Sequence, residues 1–420
     1  MSINLNWPLF TDDTLGSVKK VFDSKRFTIS GYWTGQPTFN QEFADRFARY
    51  NNARFCVPVM NGSMALVMAL EALDIGFGDE VIVPALSWVA TATAVLQVNA
   101  FPVMIDVDPE TYCMDPELIE AKITGKTRAI IPVHLYGCMA DMDRIKSVAD
   151  RHNLFVIEDC AQTHGSVWKG KKAGTIGHIG AFSFEQSKVL TSGEGGCVVT
   201  DDKALYEKLL QLSVDSRVFS GNELKYGDLS LVEKGEIQGT NFKLPEIEAA
   251  ILIEQLNHLE EQNRIRQENA LYLDERFSLV PGVKIMKRHG QVDFQSFFSY
   301  CLRVDSDHFG CDSSNNLLLI REKILKSLRR DLGISPYFLH SSYPPISKSR
   351  MFCPWTKKRF PETIARDSRY WRELSLPNAE KASRESLVFH HALLLQPREI
   401  LDTLVGAVSE ALAVIRAGRK

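Results

Sequence analysis

Between residues 55 and 159, short unbroken apolar runs alternate with helix-forming stretches, and this alternation limits the fold more than any other feature of the chain. Phe55–Met60, Glu80–Pro84, Phe101–Asp106, Thr127–Val133 and Leu154–Asp159 read as strands. Asn61–Leu73, Ser87–Asn99, Asp115–Ile123 and Met142–Asn153 read as the helices between them. Runs this continuous do not suit a sheet with one wet face. They predict an α/β fold, a mostly parallel sheet covered by helices on both sides. Ligands of such sheets bind at the carboxyl ends of the strands. Asn61, His134, Asp159, Gln162, His164 and Ser183 fall at those ends.

The stretch Gly180-Ala-Phe-Ser-Phe-Glu-Gln-Ser-Lys188-Val-Leu-Thr-Ser-Gly-Glu-Gly-Gly196 sets a lone lysine among hydroxyls and glycines, between two apolar strand-like runs. An amine in such a setting loses its proton easily and can attack a carbonyl. The plainer reading is a lysine on a surface turn. Asp159 ends an apolar strand and needs a donor. It is either an N-cap for the next turn or a partner for a protonated ring nitrogen. Asn61-Gly-Ser is a helix start of capping types, and its free N–H groups can meet a phosphate.

The flanks differ from this core. Leu15–Ser24 and Asn40–Asn51 have helical spacing. The turn-rich Ser30-Gly-Tyr-Trp-Thr-Gly-Gln-Pro37 gives Tyr32 and Trp33 no periodic partner, which makes them candidate ligand contacts. Asp202–Val218 reads as a helix, and Ser220–Gly239 as a long polar loop that serves a site or another subunit. Leu244–Leu259 carries a wide apolar stripe, and Asn263–Phe277 continues it with more charge. Beyond the break at Pro281-Gly282, strands at Ser299–Val304 and Ser386–His391 accompany helices at Leu317–Leu332 and Ile400–Arg416. Asp331–His340 reads as strand into loop. Arg321, Lys323, Lys326, Arg329 and Arg330 give Leu317–Leu332 what reads as a solvated basic face. The predicted division is a large domain over 1–264 and a smaller α+β domain over 265–420. Segment 1–30 is a candidate to pack on the smaller domain.

Composition removes several classes of function. A net charge of −3 offers no attraction for nucleic acid or an anionic membrane. No apolar run approaches a membrane span, and the first residues lack the pattern of a signal peptide. The eight cysteines include no Cys-x-x-Cys pair and read as buried thiols of a reducing cytoplasm, with no metal site expected.

A reactive lysine, a strand-end aspartate, a helix start with Ser63 and a helix-leading aromatic, Trp88, together meet the needs of a pyridoxal phosphate site. The motifs add to this. Asn61-Gly-Ser-Met-Ala-Leu, Glu158-Asp-Cys-Ala-Gln-Thr-His-Gly165 and Phe182-Ser-Phe-Glu-Gln-Ser-Lys188-Val-Leu-Thr-Ser-Gly-Glu-Gly-Gly resemble the DegT/DnrJ/EryC1/StrS aminotransferases over nearly the whole chain. Ser30-Gly-Tyr-Trp-Thr-Gly, Pro84-Ala-Leu-Ser-Trp-Val-Ala-Thr-Ala-Thr-Ala-Val, Phe338-Leu-His340 and Phe352-Cys-Pro-Trp355-Thr-Lys are similar to the cyclitol aminotransferases of aminoglycoside biosynthesis, in particular those that aminate 2-deoxy-scyllo-inosose from L-glutamine.

The resemblance implies a fold-type I pyridoxal phosphate enzyme working as a homodimer. It implies Lys188 as the lysine joined to the cofactor, Asp159 on the pyridine nitrogen and Gln162 at the ring face or hydroxyl. Ser63, the Met64 amide and Ser183 would hold the phosphate, Trp88 would stack on the ring, and Asn241 would reach the phosphate of the partner subunit. Tyr32, Trp33, Glu185, His340 and Tyr343 are the expected substrate contacts. The implied reaction moves an amino group from L-glutamine to a cyclic polyhydroxy ketone. The alternative acceptor is a keto-sugar nucleotide. Members acting on sugar nucleotides often carry His-Pro where this chain has Glu185-Gln186, and many relatives carry arginine at the position of Lys243.

Overall fold

A computed structural model describes residues 3, 5–221, 224–310, 314–356 and 368–417. The last residue of the Phe352-to-Lys357 motif lies outside them. The first half of the chain supplies nine strands: β1 (Phe55–Val59), β2 (Glu80–Pro84), β3 (Phe101–Ile105), β4 (Thr127–Ile130), β5 (Phe155–Asp159), β6 (Val167–Trp168), β7 (Lys171–Lys172), β8 (Ile179–Ser183) and β9 (Gly196–Thr200). Seven of these form the central sheet in the order β1-β9-β8-β5-β4-β2-β3, in which β9 alone runs against its neighbours. The sheet is therefore mostly parallel, as the alternation predicts.

Period-2 alternation explains why both faces are apolar. Ile82, Ile130, Val156 and Phe182 point into one core, with Phe43 and Phe47 of the helix Phe39–Asn51 and Leu252 of the helix Glu246–Phe277. Val81, Val83, Ala129, Ile157 and Ala181 point into the other, against the almost wholly buried helix Gly62–Ala72 and Leu209 of Lys203–Ser213. Buried strands thus place every strand end between two helical layers.

The helix Glu246–Phe277 runs unbroken for 32 residues, joining the two helical stretches read from sequence. Beyond it, Val283–Ile285, Ser299–Val304, Ser386–His390 and Leu339–His340 form, in that order, a four-stranded antiparallel sheet. Its core also takes Ile3, together with Ile324 and Leu328 of the helix Ser314–Leu332 and Leu404 and Val408 of the helix Arg398–Ala417. The Ile3 amide donates to the Leu332 carbonyl at 2.7 Å. Val292–Phe294 crosses back to pair with β6.

Several local expectations fail. Asp331–His340, expected as strand into loop, instead ends a helix at Leu332 and reaches a strand only at Leu339–His340. Asp115–Ile123 is two 3₁₀ turns, Pro116–Leu118 and Glu120–Lys122, because only Ile119 is fully buried there and Ile123 reaches the core in part, too little apolar face for a longer helix. The helix expected over Asp202–Val218 stops at Ser213, where Asp215 and Ser216 take left-handed conformations with φ of 58° and 62°. The chain then forms a hairpin, Arg217–Phe219 with Leu231–Glu233, whose first strand takes the end of the expected helix and whose second lies inside the supposed loop. Arg321 is buried rather than solvated, its guanidinium on the Ser383 carbonyl, and Arg329 donates to the Leu339 carbonyl at 3.0 Å through Nε.

Glu158, one residue before the strand end, is a structural lock. It is fully buried and accepts from the amides of Ile176 (2.7 Å), Gly177 (2.6 Å) and Gly174 (2.9 Å). His134 Nδ1 accepts from the Ala140 amide, so its Nε2 carries the proton given to Glu158 at 3.2 Å. His134, Glu158 and Cys160 do cluster, but both Glu158 oxygens are already taken by N–H donors. Glu158→Gln would turn an amide N–H₂ toward these donors. It should lower the unfolding free energy by about 2–4 kcal/mol in chemical denaturation, without altering the side chains of the cavity described next.

Candidate active site

The ends of β1, β2, β5 and β8 and the loop after β8 surround a cavity of about 490 Å³, lined among others by Ser63, Trp88, Asp159, Gln162, Ser183, Glu185, Lys188 and Tyr343. Of the residues singled out from sequence, these eight and Asn61 come together.

Helix Gly62–Ala72 begins at the cavity floor. Asn61 caps it, its side-chain oxygen accepting from the Met64 amide at 2.9 Å. Met64 therefore gives its N–H to the cap and does not line the cavity. The first N–H groups, of Gly62 and Ser63, have no intrahelical acceptor. Gly62 is required there, because a Cβ would stand 2.6 Å from the Cβ of Ser183. The helix N-terminus and the Ser183 hydroxyl thus form one cradle with room for an anion.

Asp159 lies opposite. Its Oδ2 accepts from the Thr91 hydroxyl at 2.8 Å and its Oδ1 from the Ala161 amide at 3.2 Å. Burial pushes its carboxyl above the usual range, while the Thr91 and Ala161 bonds and Lys188 pull it back. Thr91 is anchored in turn by Ser87, 3.1 Å away. Gln162 accepts from the Tyr136 amide through its side-chain oxygen.

Lys188 keeps contact with solvent through the cavity it lines, yet protein surrounds it. Desolvation pushes its amine below the usual lysine range, against the pull of Glu185 and Asp159. Among the described residues Nζ has no hydrogen-bond or ion-pair partner, and it sits 4.3 Å from the centroid of the Phe298 ring. His164 donates through Nε2 to the Ser183 carbonyl at 2.8 Å, and burial takes its pKa down to about 3, so His164 itself adds no charge behind the cradle. Glu185 turns one oxygen onto the Ser187 amide (3.0 Å) and hydroxyl (2.6 Å). Tyr343 packs between Trp88 and Tyr136, and burial pushes its phenol up to about 12.

Other expected contacts lie elsewhere. Tyr32 is 69% exposed and bridges Leu229. The Trp33 amide donates to the Asp228 carbonyl at 2.6 Å. Asn241 is exposed and bridges Val214. His340 lies in the small sheet with Nδ1 on the Ser341 carbonyl. None of the four lines this chain's cavity. Sequence reading missed Thr91, Glu194 and Tyr337, which do line it, and Phe298. Thr91 sits one turn after Trp88, a spacing that could have found it. Glu194 lies in the same stretch as Lys188, while Tyr337 and Phe298 carry no local signal.

Residues 16–400 match the model of the DegT/DnrJ/EryC1/StrS aminotransferase family. The chain belongs to that family. It is 37% identical to the L-glutamine:2-deoxy-scyllo-inosose aminotransferase of Streptoalloteichus tenebrarius, over 97% of this chain and 93% of the relative. It is likewise 37% identical to the L-glutamine:scyllo-inosose aminotransferase of Streptomyces griseus, over 98% and 94%. Among solved structures, NtdA of Bacillus subtilis with bound cofactor PMP superposes with a TM-score of 0.75 at 26% identity, covering 96% of this chain and 82% of that one. The fold is that of the pyridoxal-phosphate-dependent aminotransferases, and the chain is such an enzyme. Its residues fit the cofactor: an amine without a hydrogen-bond or ion-pair partner among the described residues, a buried carboxylate still accepting, and a helix N-terminus beside the Ser183 hydroxyl that can receive an anion.

A buried ammonium without a partner costs stability. Lys188→Met apoprotein should melt above wild-type apoprotein at neutral pH. The folded-state pKa of Lys188 is depressed, so the wild-type penalty is full below that pKa. It shrinks as pH rises toward the unfolded value and vanishes above it. Melting curves across pH 7–10.5 should converge accordingly.

Proposed function

We propose that this enzyme transfers the amino group of L-glutamine to a cyclic polyhydroxy ketone of the 2-deoxy-scyllo-inosose or scyllo-inosose type, in aminocyclitol antibiotic biosynthesis. Near-full-length likeness to enzymes of those names supports it. The observation that carries it over the sugar-nucleotide alternative is the lining of the cavity. Lys188 is the one cation among the described lining residues, and the hydroxyls, carboxylates, aromatic rings and the Asn61 and Gln162 amides that line the rest carry no positive charge. A diphosphate calls for cations, whereas Arg321 and Arg329 are spent on backbone carbonyls.

When bound, pyridoxal phosphate supplies an aldehyde carbon that accepts the amino group and a ring that draws electrons from the substrate α-carbon. The chain's residues would do the rest. Gly62 and Ser63 amides and the Ser63 and Ser183 hydroxyls would hold the phosphate. Asp159, kept in place by Thr91 and Ala161, would hold the proton on the ring nitrogen. Trp88 would cover the ring and Gln162 would flank it. Lys188 Nζ, a weak base made available by burial, would take the Cα proton of glutamine, then serve the ketone half-reaction as acid. Glu185 and Tyr343 would meet substrate hydroxyls. We further propose a cytoplasmic homodimer in which Tyr32, Trp33 and Asn241, all outside their own chain's cavity, face the site of the second copy.

L-Glutamine should bleach the visible cofactor band, and a scyllo-inosose-type ketone should restore it. Lys188→Ala should lose about 10³-fold or more in turnover. Full turnover in that variant, or restoration by a keto-sugar nucleotide alone, would overturn the assignment.

A further inference from the structure

The turn that carries Lys188 is held from behind by two residues distant in sequence. Trp7 Nε1 donates to the Gln186 carbonyl at 3.1 Å, and His391 Nε2 donates to the Ser187 carbonyl at 3.0 Å. The two rings meet edge to face with centroids 4.4 Å apart. His391 also packs on Phe298, 6.2 Å between centroids, the same ring that lies against the Lys188 amine. Both donors are out of water, Trp7 6% exposed and His391 fully buried.

Trp7 is itself pinned. The guanidinium of Arg266 lies 5.4 Å from its ring and is buried, with Asn263 and Gln262 as partners. On either side of Trp7, the Ile3 amide bonds Leu332 and the Leu9 carbonyl accepts from Gln255 at 2.7 Å. Burial holds the His391 imidazole well below its usual range, so the ring is neutral. Its single proton is on Nε2, and Nδ1 has no partner. The ring therefore acts as a directional donor rather than as a charge beside the lysine.

We propose that Trp7 and His391 are positioning residues that fix the Lys188 turn through the carbonyls of the two residues before it, keeping the amine aligned with the cavity through both halves of the reaction. The proposal rests on the role given to Lys188 above. A lysine that must leave the cofactor and return to it has a flexible side chain, so the backbone beneath it has to supply the precision. A misplacement of about 1 Å can cost about 10²-fold in rate.

The test uses holoenzyme carrying Trp7→Phe, His391→Phe or His391→Asn. Stopped-flow absorbance gives the maximal rate of each half-reaction and the half-saturating L-glutamine concentration. Pyridoxal phosphate uptake by each apoprotein is timed separately. Trp7→Phe and His391→Phe should lower both maximal rates about 3- to 30-fold and slow uptake, with half-saturation within about twofold of wild type. His391→Asn retains an N–H donor and should recover most of the loss. Wild-type rates and uptake in Trp7→Phe would overturn the proposal, as would a loss confined to glutamine affinity. If His391→Phe does not fold, Trp7→Phe and His391→Asn still decide the matter. A wild-type enzyme that L-glutamine fails to bleach would defeat the functional reading instead, and the uptake rates would still judge the positioning role.

Discussion

Asp159 and Lys188 are opposite charges that share one cavity without forming an ion pair. Desolvation dominates both: it pushes the carboxyl up and the amine down, and their mutual attraction offsets it only in part. A buried charge without a partner costs several kcal/mol, so such an arrangement survives only where the surrounding fold overdetermines it. Thr91, the Ala161 amide and the β5 ladder hold the acid. The turn after β8, gripped from behind, holds the amine. A ligand that pairs with both recovers part of that cost, which is how a fold stores binding energy for a cofactor.

The division of labour between Glu158 and Asp159 follows from strand geometry. Successive side chains of β5 face opposite sides of the sheet. One carboxylate is therefore sealed among backbone amides while its neighbour opens on the cavity. The pair looks redundant in sequence, and the alternation makes one residue a lock and the other an acceptor.

The alternation of apolar runs made the parallel sheet legible, because a doubly covered sheet needs continuous strands. Lys188, Asp159, Ser63 and Trp88 were legible because each sits where a strand ends, the one place such a sheet offers a ligand. What sequence hid was whatever depends on distant chain segments. Phe298 lies in the turn leading into one strand of the four-stranded sheet, and Tyr337 precedes another. Neither has spacing that ties it to residue 188. The stop at Ser213 was hidden too, since it rests on left-handed backbone at Asp215 and Ser216 without a glycine. Arg321 misled because a charge on an amphipathic stripe reads as solvated, whereas the Ser383 carbonyl and Glu322 satisfy it where it is buried.

The direct measurement of the central claim is where the cofactor attaches. Holoenzyme reduced with borohydride, digested and mapped by mass spectrometry should carry one pyridoxyl group, on the peptide containing Lys188. A pyridoxyl group on another lysine, or an unlabelled Lys188 peptide from fully loaded enzyme, would contradict the account.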